Sequence, residues 1–174
     1  ALERSRELFK RAALEGDMAN LTAGSRELTQ QQQQWAQQVP ALDSARAARE
    51  EQALADRADS LGSALERLAE ELGGQSAERQ QAMEQAADRA QQAAAQMRQV
   101  AQSARQGKKQ QAQRQGQQAA DQLNPLGDQI EEQREGMQQE WREEVMQALD
   151  QVLADDGRLA ERQLGVTDAL RRGD

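Results

Sequence analysis

Only two prolines, Pro40 and Pro125, and one glycine pair, Gly73-Gly74, interrupt 174 residues otherwise dominated by Ala, Gln, Glu, Arg and Leu. These five are strong helix formers, so the stretches between interruptions favour long helices. The pattern predicts four of them, over about residues 2–39, 42–72, 75–123 and 125–171. Asn124-Pro125 sets a proline at the first position of the last helix, where a missing N–H costs nothing, and Gly73 stands where a left-handed C-terminal cap is expected. Breaks this short turn each helix back on its neighbour. The Gln tracts at 30–34 and 110–118 stay in phase with the flanking stripes and are read as polar helix faces.

The apolar residues fix how such helices pair. Leu14, Leu21, Leu28 and Trp35 recur every seven residues, and Leu54, Ala58, Leu61, Leu65, Leu68 and Leu72 alternate in steps of four and three. Both are coiled-coil seams. An antiparallel hairpin about Pro40 sets residue i against 82 − i, pairing Leu14 with Leu68, Leu21 with Leu61, Leu28 with Leu54 and Trp35 with Ala47. About Gly73-Gly74 the leucines meet small residues, at Leu65/Ala82, Leu61/Ala86 and Leu54/Ala93. A turn at Asn124-Pro125 sets i against 249 − i, giving Met83/Val166, Ala90/Leu159, Met97/Val152, Ala104/Val145 and Ala119/Ile130. The expected fold is all-α: an antiparallel up-down-up-down four-helix bundle, coiled-coil-like, with the last two helices extending as a projecting hairpin.

Unequal helix lengths assign residues 1–106 plus 142–174 to the bundle and 107–141 to the hairpin, which reaches roughly 25 Å past it at 1.5 Å per residue. Trp35 and Trp141 fall where four helices become two and are expected to plug that end of the core. Leu123, Leu126, Ile130 and Met137 have one partner helix each in the hairpin, which makes them the candidate interaction surface. A protein partner or a second copy would cover them, the homodimer pairing two arms about a two-fold axis.

The composition excludes most catalytic chemistry. With no His, Cys or Tyr, the chain has no imidazole base, thiol nucleophile, His/Cys metal site or disulfide. The neighbouring acids Asp155-Asp156 and Glu131-Glu132 diverge on a helix and do not make a metal site. Gly107-Lys108-Lys109 lacks the Gly-x-x-x-x-Gly-Lys-Ser/Thr cradle of a phosphate loop and reads as a local weakening of the third helix. Gly116 and Gly136 would allow close helix approach within the hairpin. The expectation is a non-enzymatic chain without catalytic, cofactor-binding or metal-binding residues. No run of about 18 apolar residues is present, so no transmembrane segment is expected, and the helical pattern starting at Leu2 without an initiator Met suggests a piece of a longer chain.

Charge is unevenly spread. The net charge is −8, yet Arg89, Arg98, Arg105, Lys108, Lys109 and Arg114 occur between Arg89 and Ala120 without one acid, leaving −14 on the remainder. A basic helix of this kind could bind a lipid surface or another polyanion, the second functional reading. The 249 − i register instead predicts the interhelix ion pairs Arg105/Glu144, Lys109/Glu140 and Arg114/Glu135. Nucleic acid is disfavoured as a partner because this face carries no stacking aromatics.

The segments EEQALADRADSLGSALERLAEEL (50–72), MRQVAQSARQGKKQQAQRQGQQAADQLNPLGDQ (97–129) and WREEVMQALDQVLADDGRLAERQLGVTDALRRG (141–173) resemble the soluble part of a bacterial domain-of-unknown-function family of Gln/Arg/Glu-rich helical proteins. The resemblance implies bacterial origin, an upstream membrane anchor and an extracytoplasmic location. It implies no activity and no catalytic residue.

Overall fold

The computed structural model describes the backbone of residues 2–172 and the side chains of Glu3 and residues 5–159. Four helices follow one another, α1 (Leu2–Gln38), α2 (Ser44–Gly73), α3 (Ala77–Arg105) and α4 (Lys109–Arg172), and no strand occurs among the described residues. The chain forms two compact units, Ala1–Arg134 and Glu135–Asp174. The first is a helical bundle; the second is the C-terminal part of α4.

The first two turns fall where the sequence places them, and side-chain caps define them. Asp43 is extended at φ −69°, ψ 152°, and its carboxylate accepts the Arg46 backbone N–H at 2.9 Å. Ser76 caps α3 in the same way through Arg79 N–H at 3.3 Å. Each side chain satisfies one of the donors left open at a helix start. The expected left-handed cap at Gly73 is not formed: Gly73 is the last helical residue, and Gly74, which caps α2, lies in the right-handed region at φ −73°, ψ −11°.

The third turn is not at Asn124-Pro125. It lies at Gly107, whose φ of 74° is the only positive value among the described residues. The Gly107 N–H donates to Ala104 O at 2.9 Å and the Lys108 N–H to Ser103 O at 3.0 Å. Those two bonds are the Schellman ending of a helix, which needs a residue without Cβ at its left-handed position. The apparent weak point is therefore a stop.

α4 then passes through Pro125 without a break. A proline inside a helix costs about 3 kcal/mol, through the lost N–H and the clash with the carbonyl four residues back. Pro125 and Asp121 both lie on the exposed side of α4, where a released carbonyl can be hydrated. Around them Leu123, Leu126 and Ile130 are completely buried. Each such side chain contributes about 1.5–3 kcal/mol, so burial outweighs the proline.

This corrects the projecting hairpin over 107–141 and the bundle composed of 1–106 plus 142–174. Residues 109–134 are instead the fourth helix of the bundle. α3 and α4 run antiparallel about Gly107: Ser103 Oγ donates to Gln115 Oε1 at 3.2 Å, Arg89 to Gln129 Oε1 at 3.0 Å, and Gln129 Nε2 to Ala82 O at 3.1 Å. Arg26 on α1 reaches Asp128 on α4 at 3.0 Å. The expected partners of α3 in the 249 − i register are not in its core, since Val145, Val152 and Leu159 are more than half exposed. The side chain of Val166 lies outside the described residues.

The core joins large side chains to small ones. Leu61, Leu65, Leu68 and Leu72 of α2 are buried, as are Ala86, Ala87, Ala90, Ala93, Ala94, Ala101 and Ala104 of α3. At Gly62 the two helices come so close that a Cβ would lie 3.3 Å from the Ala87 carbonyl oxygen. Met18, Met83 and Met97 are also fully buried, and their flexible thioethers suit the gaps that alanines leave.

Candidate functional site

Leu123, Leu126, Ile130 and Met137, expected to face a partner, have no exposed surface at all. Moving the third turn to Gly107 turns Leu123, Leu126 and Ile130 of α4 into bundle core, and Met137, in the second unit, is buried as well, so this expectation is corrected. Trp35 does serve as core: it packs with Ala36, Val39, Ala47, Ala48, Val100, Ala104 and Ala112. Its indole N–H donates to Ala47 O at 3.1 Å, the residue that the 82 − i register sets against it. The α4 residue beside the ring is Gly116, where a Cβ would sit 2.6 Å from Trp35 Cζ3. Trp141 is half-buried in the second unit and is not part of that cluster. Gly116 therefore serves the indole and not Gly136, which has open space where a Cβ would be.

The predicted interhelix ion pairs do not form. Lys109 and Glu140, like Arg114 and Glu135, lie on one continuous helix and cannot meet across a turn. Lys109 Nζ donates instead to the carbonyl oxygens of Pro40, at 3.2 Å, and Leu42. Arg105 ends α3 and Glu144 belongs to the second unit, so the turn that was to pair them does not exist. Within the basic stretch, Arg98 lies 3.1 Å from Asp59 of α2 and Arg89 donates to Gln129, whereas Arg105, Lys108 and Arg114 are exposed.

Inside the bundle a polar layer escaped the hydrophobic pattern. Thr22, Ser25, Thr29 and Gln32 of α1 and Glu51 of α2 are all buried. Thr29 Oγ1 donates to Ser25 O at 3.0 Å, a bond within its own helix. Gln32 Nε2 donates to Glu51 Oε1 at 2.9 Å and to Gly116 O at 3.3 Å. Gln32 Oε1 and Glu51 Oε2 have no protein partner. Burial pushes the Glu51 carboxyl up to about 8, and the bond from Gln32 offsets only part of that rise. The acid accordingly keeps its proton at neutral pH. The protonated carboxyl carries a donor of its own, where an ionised one could only accept. No second buried ionisable group accompanies Glu51 among the described residues, so the layer offers no acid–base couple. The signal that could have found it was spacing: Ser25, Gln32 and Val39 are seven apart, and Glu51 follows Ala47 by four.

Among the described residues, six of the eight exposed large apolar side chains are on the second unit. Every described side chain from Arg142 to Leu159 is exposed, and among them Val145, Met146, Leu149, Val152, Leu153 and Leu159 retain 52–68% of their accessible surface. Steps of three and four set them on one face of α4. Arg142 and Asp156 lie on that same face, seven residues before and after Leu149. Gln138, Trp141, Arg142, Val145 and Met146 line a shallow hollow at its start. Two further large apolar residues, the sequence neighbours Leu8 and Phe9 of α1, are also exposed.

No described helix is long and apolar enough to cross a membrane. Among the described residues no group of three or more acidic side chains is arranged to hold a metal ion. Comparison with protein-family models, with curated proteins and with solved structures finds no match. The functional reading of the chain therefore rests on its own residues.

Proposed function

We propose that this chain is a non-enzymatic helical interaction module whose contact surface is the apolar face of α4 between Val145 and Leu159. The observation that supports this reading is the exposure of six large apolar side chains in register on one helix, while the four residues first expected to make the contact are sealed in the core. Burial of such side chains against a partner releases about 1.5–3 kcal/mol each when complete, and a contiguous exposed stripe of this kind marks interaction surfaces. Polyanion or lipid binding through the basic stretch has less support, because three of its six cations, Arg89, Arg98 and Lys109, are already held by Gln129, Asp59 and two backbone carbonyls, which leaves Arg105, Lys108 and Arg114 for such a contact.

A photoreactive amino acid placed at Leu149 in the full chain, inside producing cells, is expected to capture protein. The same probe at Asp150, one residue around the helix and off the stripe, is not. Absence of any protein adduct at Leu149, or equal capture at both positions, would remove the reading.

A further inference from the structure

We infer that the exposed face of α4 docks on the same face of a second copy, antiparallel, about a two-fold axis at Leu149. This rests on the interaction reading above and names its partner. The argument is the internal symmetry of the face. Counted outward from Leu149, Met146 and Val152 stand three residues away on either side, Val145 and Leu153 four, and Arg142 and Asp156 seven. Antiparallel pairing centred on Leu149 therefore sets Leu149 on its own copy, Val145 on Leu153, Met146 on Val152 and Arg142 on Asp156, while Leu159 at the end of the face falls opposite Gln139. The last pairing occurs twice, once at each end of the contact.

The charges select this arrangement against its alternatives. Parallel pairing in register brings Arg142 to Arg142 and Asp156 to Asp156, and like charges facing across a seam repel. Sliding an antiparallel pair by one heptad sets an arginine or an aspartate against Leu149. Only the centred antiparallel register gives every charge on the face an opposite one. Arg142 and Asp156 are both exposed, and Arg142 makes only a long contact, 3.3 Å, to the Gln138 carbonyl one turn back. The edges of the face carry Glu143, Asp150 and Asp155. Paired copies repel along those edges, which leaves the Arg142–Asp156 pairs as the attractive charges. Two heptads make a contact at the small end of specific interfaces, so association is concentration-dependent.

The chain has no cysteine, which gives a clean test by single substitutions at exposed positions of the full chain. Under mild oxidation Leu149→Cys is expected to form a disulfide-linked dimer. Arg142→Cys alone and Asp156→Cys alone are not, whereas an equimolar mixture of the two links as a heterodimer. In the Leu149→Cys background, Arg142→Asp is expected to lower the linked yield about tenfold, and adding Asp156→Arg to restore it. Self-linking at positions 142 and 156 with none in the mixture would overturn the antiparallel register. No linkage anywhere at millimolar protein would overturn self-association. Photocapture of other proteins at Leu149 without any self-adduct would overturn this inference while leaving the interaction module standing, and capture of nothing would remove both. Circular dichroism checks that each exposed-site variant keeps its helix content.

Discussion

Glu51 shows how one side chain couples the bundle to pH. Its ordinary value of 4.5 rises to about 8 in the folded protein, so between those limits the native state holds a proton that the unfolded chain has released. The direction follows from linkage: stability falls wherever the native state binds more protons than the unfolded one. The contribution of this group is full below about pH 4.5, declines as the pH climbs toward 8, and is level beyond. Glu51→Gln keeps the shape, presents an amide to Gln32 and has nothing to titrate. Urea unfolding across pH 5 to 8 is expected to show the parent losing a few kcal/mol relative to the variant. Parallel curves for the two proteins would contradict the buried, proton-bearing carboxyl.

Gly107 and Pro125 decide the organisation of the last two elements, and their roles are the reverse of those their residue types suggest. Gly107 occupies a left-handed position that a Cβ strains, so Gly107→Ala is expected to cost roughly 1–2 kcal/mol. Pro125 sits in a helix interior, so Pro125→Ala is expected to add about 1–3 kcal/mol by restoring the N–H to the Asp121 carbonyl. Thermal unfolding of the two variants reads both signs; the opposite pair of signs would return the turn to Asn124-Pro125.

These two residues also mark where sequence reasoning stopped. The seams of the first two helices were legible because Leu14, Leu28 and Trp35 repeat strictly and Pro40 leaves one place to turn; Trp35 and Ala47 duly meet. The alanine face of α3 was legible for the same reason. The third turn was not, because local propensity ranks proline above glycine as a breaker, while burial of Leu123, Leu126 and Ile130 supplies the deciding free energy and is visible only in the packed bundle. From that one misplaced turn came the wrong contact residues and the three ion pairs. Glu51 and Gln32 were hidden differently: in a chain with 32 glutamines and 30 acids, a polar residue at a core position does not stand out by type.

At the scale of the whole molecule, the two compact units divide the apolar residues by purpose. In the first, most large side chains other than Leu8 and Phe9 are spent on packing, and the Ala-rich α3 keeps that core thin. In the second, α4 carries a face of comparable apolar character that its own unit does not cover. The side chains that fill the bundle core and those exposed on the α4 stripe are thus different residues, and a change on the stripe need not disturb the bundle.

The sulfur atoms follow the same division. Of five methionines, Met18, Met83, Met97 and Met137 have no exposed surface, whereas Met146, beside the centre of the stripe, is 59% exposed. Mild peroxide should therefore convert Met146 to its sulfoxide well ahead of the other four, which peptide mass mapping would read directly. A polar sulfoxide there disfavours burial of the stripe, and methionine sulfoxide reductase would reverse the change. Although the chain lacks thiols, the exposed apolar face of α4 would then answer to oxidants through a thioether.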